Sequence, residues 1–230
     1  MSCKKIIRAG GKGIFMNRIN YQKQLETIIA KHEKAGEVPT LLLHSCCAPC
    51  SSYCLEYLSN YFRITVFYYN PNIYPEEEYA KRAEEQRYFI ERLPVKHKID
   101  FVEGAFEKER FYETVKGYEN CKEGGERCFL CYELRLAETA KLAKQMGMDY
   151  FTTTLSISPL KNSDKLNEIG EKVGMQYGIA HLSSDFKKKN GYKRSVELSN
   201  EYEMYRQYYC GCVYSKNERD KEIAAREKED

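Results

Sequence analysis

Several features of secreted, membrane-bound and repetitive proteins are missing from this sequence. No apolar stretch approaches the roughly 20 residues that a membrane-spanning helix needs, and the start, MSCKKIIR, has too short an apolar run for a secretion signal. The 37 Lys and Arg residues nearly balance 34 Asp and Glu residues, so the net charge of +3 does not by itself indicate nucleic-acid binding. There is no internal repeat and no low-complexity segment. We therefore expect a cytoplasmic globular protein.

Cysteine, in contrast, is abundant and grouped. Ten cysteines occur in 230 residues, and most fall into three groups: Cys46-Cys47 with Cys50, Cys128-x-x-Cys131, and Cys210-Gly-Cys212. These spacings are not typical of a disulfide-stapled secreted domain. In the cytosol thiols stay reduced unless they are catalytic or bind a metal. The grouping therefore predicts metal or redox chemistry.

Strand and helix patterns alternate along the chain. The run from Thr40 to Leu43 is apolar and is followed by a stretch of small residues with a proline, which is typical of a buried strand that ends in a loop. Further strands are predicted at about 63–69, 98–102, 149–155 and 178–182. Helices are predicted at about 21–34, 48–60, 76–93, 106–115, 127–146, 163–173, 192–209 and 215–230. This alternation predicts an α/β fold with one mainly parallel sheet and helices on both faces.

No linker divides the chain into two large units. We predict a single α/β domain over 39–215 that carries the cysteine groups, preceded by an N-terminal extension and helix over 1–38. A charged C-terminal helix or tail is predicted over 216–230. In such sheets ligands bind outside the carboxyl ends of the strands, so the thiols after the first strand are well placed for a site.

Two pairs of thiols could share one metal centre. Cys128 and Cys131 are three residues apart at a predicted helix start, so both sulfurs lie on one face, and a helix N-terminus favours the thiolate. Together with Cys46 and Cys47 they would supply four ligands, which fits either a structural zinc or a 4Fe-4S cluster. The direct adjacency of Cys46 and Cys47 departs from the usual zinc spacing and favours the cluster, but spacing leaves zinc open.

The remaining cysteines differ in what they indicate. Cys210 and Cys212 can close only a small, strained disulfide, and strained disulfides are the labile, catalytic ones. Metal ligation, or two unrelated thiols, is the alternative for this pair. Cys50 is either a spare ligand or a packed thiol, and Cys3, Cys54 and Cys121 have no partner pattern. His44, just before the first group, is expected to be buried and hydrogen-bonded.

A dense basic patch occupies residues 187–194 and includes Tyr192. Such a patch suits a phosphate backbone with a stacked base. A solvated loop and helix start explains the same residues equally well.

With these motifs in hand, the chain closely resembles the epoxyqueuosine reductase QueH family from Thr40 to Ser215. Six collinear motifs carry the resemblance: His44-Ser-Cys-Cys-Ala-Pro-Cys50; Tyr69-Asn-Pro-Asn-Ile-Tyr-Pro75 with Glu78-Tyr79 and Arg82; Arg127-Cys-Phe-Leu-Cys-Tyr-Glu-Leu-Arg135; Thr152-Thr-Thr-Leu-Ser-Ile-Ser-Pro159; Asp185-Phe-Lys-Lys-Lys-Asn-Gly-Tyr-Lys-Arg194; and Tyr205-Arg-Gln-Tyr-Tyr-Cys-Gly-Cys-Val-Tyr-Ser215.

The resemblance implies a Rossmann-like fold and an enzyme that removes the epoxide oxygen of epoxyqueuosine at the tRNA wobble position, giving queuosine. It implies that four cysteines hold a 4Fe-4S cluster, that two more form a redox-active pair, and that a second, mononuclear iron lies beside the cluster with cysteine and aspartate among its ligands. An external electron donor is expected and no corrin. The cluster ligands would be Cys46, Cys47, Cys128 and Cys131; the redox pair Cys210 and Cys212; the candidate aspartates Asp185 and Asp164.

For the tRNA, this hypothesis assigns phosphate contacts to Lys193 and Arg194 and base stacking to Tyr192 or Tyr69. The alternative function is a zinc-stapled RNA-binding protein without catalysis. A tRNA sulfur-transfer enzyme is less favoured, because Cys46-Cys47-Ala-Pro-Cys50 takes the place of the Gly/Ser-rich pyrophosphate loop and Pro49 offers no N–H.

Overall fold

Five parallel strands form one sheet at the centre of the molecule. The computed structural model describes residues 19–228, and Cys3 lies outside that range. The strands are β1 (Thr40–His44), β2 (Arg63–Tyr68), β3 (Ile99–Glu103), β4 (Tyr150–Thr153) and β5 (Ala180–His181). Their order across the sheet is β3-β2-β1-β4-β5, and each neighbouring pair is parallel. The chain therefore reverses its direction of winding between β1 and β4, the position at which such sheets bind ligands.

Helices surround the sheet and connect its strands. They are α1 (Tyr21–Ala35), α2 (Ala48–Leu58), α3 (Glu76–Arg92), α4 (Lys108–Thr114), α5 (Glu126–Gln145), α6 (Ser163–Tyr177), α7 (Gly191–Glu201) and α8 (Val213–Arg226), with a short 3₁₀ helix at Thr154–Ile157. In the part of the chain that the structure describes, no helix is both long and apolar enough to cross a membrane.

Alternate residues of β1 point to the two faces of the sheet, because successive strand side chains point in opposite directions. Leu41 and Leu43 pack in a core with α1, α2 and the C-terminal half of α3. Leu42 packs on the other side with Phe151 and with apolar residues of α5 and α6. These two cores confirm the predicted α/β architecture with helices on both faces.

Several predicted element bounds differ from the structure. The helix predicted over 192–209 ends at Glu201, since Glu203 adopts a positive φ of 52° that an α-helix does not allow, and the residues up to Cys210 form a loop. The fourth strand ends at Thr153, whose hydroxyl accepts a hydrogen bond from the Leu155 N–H and begins the 3₁₀ helix. The boundary predicted at 215/216 falls inside α8. The division into 1–38, 39–215 and 216–230 stays a prediction.

Candidate metal and redox site

The site begins at His44, the last residue of β1. Its Nδ1 lies 2.9 Å from the Thr153 hydroxyl at the end of β4, and its Nε2 lies 3.1 Å from the Tyr69 carbonyl after β2. Burial lowers the pKa of His44 to about 3, so the ring is neutral. The sequence prediction of a buried, hydrogen-bonded histidine is confirmed. His44 thereby joins the carboxyl ends of three adjacent strands directly before the first cysteines.

Cys46, Cys47 and Cys50 form a compact triad at the start of α2. Their sulfurs all lie within 4.8 Å of one another, and the sulfurs of Cys46 and Cys47 are 3.8 Å apart. Hydrogen bonds from the Cys46 and Cys50 thiols, together with the charge of Arg82, lower the pKa of Cys47 and favour its thiolate. The amide of Gln207 also donates to this sulfur at 2.8 Å. The triad assigns Cys50, which the sequence left ambiguous, to the site.

The second pair of thiols lies on the first turns of α5. Cys128 and Cys131 are buried, and burial raises the pKa of both thiols, to about 11 for Cys131. The Gly124 N–H donates to the Cys128 sulfur at 3.2 Å. Cys128 packs in the same buried cluster as Cys46 and Cys47. Within residues 19–228, however, the triad is the one group of three such ligands inside 4.8 Å, and it does not include the α5 pair.

Cys210 links these groups, because it lines two cavities. A small one also contains Cys128, Cys131 and Cys212 in its walls, and a larger one contains Cys46 and Cys50. The structure therefore brings all three cysteine groups of the sequence to one end of the sheet. The four predicted cluster ligands lie in that region, but they do not surround a single point at the spacing of ligands on one ion.

The backbone conformation of the Cys210-Gly211-Cys212 segment requires its glycine. Gly211 has a φ of 142°, which side chains rarely adopt, and a Cβ there would lie 3.1 Å from Ile73 and 3.2 Å from Arg82. Both flanking thiols are free, Cys212 is buried and Cys210 is half-buried. Burial raises the pKa of Cys212 to about 12. Cys210 is therefore the more accessible thiol of the pair.

The larger cavity has a volume of about 320 Å³ and a mixed lining. Its cysteines lie beside apolar walls that include Pro49 and Leu155. The exposed or charged side chains at its edge are two tyrosines, two arginines and a leucine: Tyr192, Tyr208, Arg206, Arg219 and Leu160. A concave apolar site with a few convergent polar groups suits a small organic group. Aromatic rings and arginines at the edge suit the bases and phosphates of a single strand.

Four cations are buried near the thiols: Arg82, Arg127, Arg135 and Lys161. Lys161 pairs with Glu123 at 2.8 Å, and both residues line the larger cavity. Burial alone would lower the pKa of Lys161, but the neighbouring Cys210, Tyr132 and Glu123 outweigh it and raise this pKa. The ammonium therefore keeps its proton at the cavity wall.

The residues predicted to contact tRNA occupy different environments. Tyr192 is exposed and lines the larger cavity, as a base-stacking residue should. The Lys193 side chain is 77% exposed. Arg194 instead pairs with Glu56 at 2.7 Å and with Glu201 at 2.6 Å, and Tyr69 is buried, with its hydroxyl on Glu107. Of these four residues, Tyr192 and Lys193 are the ones that are accessible to a large ligand.

The two candidate aspartates are absent from the linings of both cysteine cavities. Asp185 is buried and pairs with Lys187 at 3.0 Å. Asp164 is exposed in the first turn of α6. Burial and then the negative charge of Asp164 raise the pKa of Tyr21 in α1. The carboxylate that lines both cavities is Glu123.

Sequence reasoning gave no role to Glu123, Arg135, Lys161 and Gln207, which the structure brings to the cavity walls. Arg135 carried a usable signal, since it follows Cys131 by one helical turn and therefore lies on the same face. The other three come from loops whose approach to the cysteines is set by tertiary packing. No local pattern identifies them.

Known proteins of one family are similar to this chain. The family model described as epoxyqueuosine reductase QueH matches residues 41–218. Curated proteins of that name are similar to this chain: one from Staphylococcus epidermidis is 44% identical over 86% of this chain and 85% of its own length. Another, from Streptococcus pyogenes, is 44% identical over 86% and 78%. One from Thermotoga maritima is 36% identical over 78% and 92%. The chain thus belongs to the epoxyqueuosine reductase QueH family.

Proposed function

We propose that this chain reduces epoxyqueuosine in tRNA to queuosine. The supporting observation is that Cys210 lines both the cavity of the α5 thiols and the open cavity that Cys46 and Cys50 of the triad line. Thiols that can be oxidised and reduced therefore line a cavity that is large enough for a small organic group. The family to which the chain belongs supports the substrate. The zinc-stapled RNA-binding alternative is not favoured, because the relatives are named as reductases.

The residues of the site fit an iron–sulfur cluster. Buried thiols are the donors that such clusters take, and Arg82, whose charge acts on Cys47, has a buried Nη2 without a hydrogen-bond partner. We propose Cys46, Cys47, Cys128 and Cys131 as the 4Fe-4S ligands, and Cys50 as the thiol available to a second iron. Neither Asp185 nor Asp164 is included, since they are absent from the cavity linings. A bound cluster would supply single electrons at the wall of the substrate cavity.

The reaction needs two electrons and two protons for each epoxide. Both carbon–oxygen bonds break, a carbon–carbon double bond forms and the oxygen leaves as water. Oxidation of the Cys210 and Cys212 thiols to a disulfide releases two electrons and two protons, which balances this change. An external electron donor must then reduce the disulfide before the next turnover.

Protonation of the leaving oxygen is the part that the described side chains can assist directly. Lys161 holds a proton on Nζ at the wall of the larger cavity, and Glu123 fixes that ammonium. An acid placed there would protonate the oxygen as the carbon–oxygen bonds break. We assign Lys161 as this proton donor.

The tRNA would reach the cavity from its open edge. Tyr192 and Tyr208 offer rings for stacking, and Arg206 offers positive charge to phosphates, whereas Arg219 already pairs with Glu222 at 2.6 Å. Lys193, adjacent to Tyr192, can contribute in the same way, whereas Arg194 and Tyr69 are already occupied within the protein. We place the enzyme in the cytoplasm, where its tRNA substrate occurs and thiols remain reduced.

One experiment tests the proposal as a whole. The chain is purified under anaerobic conditions, its iron, sulfide and zinc are measured, and it is incubated with tRNA containing epoxyqueuosine and dithionite. Mass spectrometry of the digested nucleosides should show loss of one oxygen atom. The variant C128S/C131S should lose iron and activity, while Cys54→Ala, a buried cysteine absent from both cavity linings, should keep both. Stoichiometric zinc without iron, or an unchanged nucleoside, would overturn the proposal.

A further inference from the structure

Arg135 is a buried cation without a carboxylate partner. Its residue is 1% exposed. Nε donates to the Cys131 carbonyl at 3.3 Å, Nη1 lies 3.5 Å from Oδ1 of Asn70, and Nη2 has no hydrogen-bond partner. Among residues 19–228, no Asp or Glu forms an ion pair with it. A buried charge without a countercharge is strongly unfavourable, so this position requires a negative charge from another source.

The other three buried cations of the site show the usual solution. Each pairs with a glutamate: Arg82 with Glu78 at 2.7 Å, Arg127 with Glu218 at 3.2 Å, and Lys161 with Glu123 at 2.8 Å. Arg135 differs from them although it lies on the same helix as Arg127 and lines the same small cavity. Of these four buried cations, Arg135 alone has no carboxylate partner among the described residues.

Thiols from three elements act on Arg135. Cys131 on α5 and Cys210 on the loop before α8 line the small cavity together with Arg135. The groups that act electrostatically on Arg135 are these two thiols, Cys46 after β1 and the Tyr132 hydroxyl. Protonated thiols carry no charge, whereas thiolates bound to iron are negative. An anionic iron–sulfur centre bound to the proposed ligands Cys46 and Cys131 would provide the countercharge that the polypeptide omits.

We propose that Arg135 is a positioning residue that compensates the negative charge of the bound iron–sulfur centre and sets its reduction potential. This inference rests on the proposed function, because it assumes that the centre is present. Each added electron makes the centre more negative, so a fixed positive charge beside it stabilises the reduced form. Charge and hydrogen bonding around a cluster are known determinants of its potential.

The test compares three variants of the full chain, each purified anaerobically with its iron. Arg135→Met removes the charge at similar length, Arg135→Lys keeps it, and the double variant R127M/E218Q removes a cation together with the carboxylate that neutralises it. We expect Arg135→Met to release iron to a chelator about tenfold faster or more, and to shift the midpoint potential of its electron paramagnetic resonance signal to a more negative value. Arg135→Lys should stay near the parent in both, and R127M/E218Q, which keeps the net charge of the site, should leave the potential almost unchanged.

The outcomes separate this inference from the proposed function. Parent-like iron release and potential in Arg135→Met would overturn the inference. It would also be overturned if Arg135→Lys lost the centre as readily as Arg135→Met, because the charge would then not be what this position supplies. Complete loss of iron in Arg135→Met with retention in Arg135→Lys supports it. Absence of iron and sulfide from the parent itself would instead contradict the proposed function.

Discussion

The side-chain amide of Gln207 lies 2.8 Å from the Cys47 sulfur and so connects two parts of the chain that are 160 positions apart. Gln207 belongs to the loop between α7 and α8 that also carries Cys210, whereas Cys47 is the residue immediately before α2. The contact places the redox pair and the first cysteine group in one structural unit.

Replacing Gln207 should therefore affect the metal centre. Gln207→Glu places a negative charge beside the Cys47 sulfur, whose lowered pKa favours the thiolate. The two negative charges repel, so we expect the iron content to fall or the release of iron to a chelator to become about tenfold faster. Gln207→Leu, which only removes the donor, should have a smaller effect. Iron and sulfide analysis after anaerobic purification measures both. Equal iron retention in Gln207→Glu and the parent would show that the amide does not support the Cys47 thiolate.

This contact also marks how far the sequence could predict the site. The apolar run before His44 and the spacing of Cys128 and Cys131 were enough to predict a thiol site at the carboxyl end of a parallel sheet, since strand and helix periodicity are local properties. The approach of Gln207 to Cys47 depends on where the α7–α8 loop packs. The sequence predicts helix as far as residue 209, whereas the helix ends at Glu201 and the backbone turns at Glu203.

The pair Cys210 and Cys212 should be needed for turnover but not for the metal centre. Cys210→Ser and Cys212→Ser are expected to keep the iron and the visible absorption of the parent, because neither residue is a proposed ligand. Both should fail in multiple turnover, since no dithiol remains to be oxidised. Conversion of epoxyqueuosine per enzyme, followed over time with dithionite, measures this. Sustained parent-like turnover in either variant would remove the dithiol from the mechanism.

Arg206 and Arg194 should differ in their effect on tRNA binding. Arg206 lies at the edge of the larger cavity and, within the described residues, forms no ion pair with a carboxylate, whereas Arg194 is held by Glu56 and Glu201. Arg206→Ala should reduce the slope of log affinity against log salt by about 0.7 to 1, as expected for one lost phosphate contact. Arg194→Ala is the matched control and should leave the slope unchanged. Fluorescence anisotropy with labelled tRNA across a salt series checks both; a larger effect of Arg194→Ala would favour the original sequence prediction.

Charge density along the sequence could not distinguish these two arginines. Residues 187–194 are strongly basic, but Glu56 comes from α2 and neutralises Arg194 only after the two helices pack. Arg206 lies in a less basic stretch and is positioned by the loop after α7. The missing information is which cations find carboxylate partners in three dimensions.

His181 should make stability depend on pH, independently of the metal site. It packs against the Phe151 ring, and burial lowers its pKa to about 4 from an ordinary value of 6.5. The unfolded chain therefore binds a proton at a higher pH than the folded chain. The contribution of His181 to stability is complete above pH 6.5 and declines as the pH falls from 6.5 towards 4.

At pH 5 this loss should reach up to about 2 kcal/mol. His181→Asn cannot titrate in this range, so its free energy of unfolding should fall less between pH 7 and pH 5 than that of the parent. Urea unfolding at both pH values gives the comparison, and His44, present in both proteins, cancels in the difference. Identical pH dependence in the two proteins would show that His181 is not protonated on unfolding.

The pair Lys161 and Glu123 allows stability to be separated from catalysis. Lys161→Met leaves the Glu123 carboxylate buried without its partner and should lower the free energy of unfolding by about 3 to 5 kcal/mol. The double variant K161M/E123Q removes the unpaired charge and should recover most of that loss. If Lys161 protonates the leaving oxygen, the double variant should still be slower than the parent by about 10² to 10⁴, with its iron content unchanged. Recovery of activity together with stability would assign the pair a purely structural role and leave the proton to another group in the cavity wall.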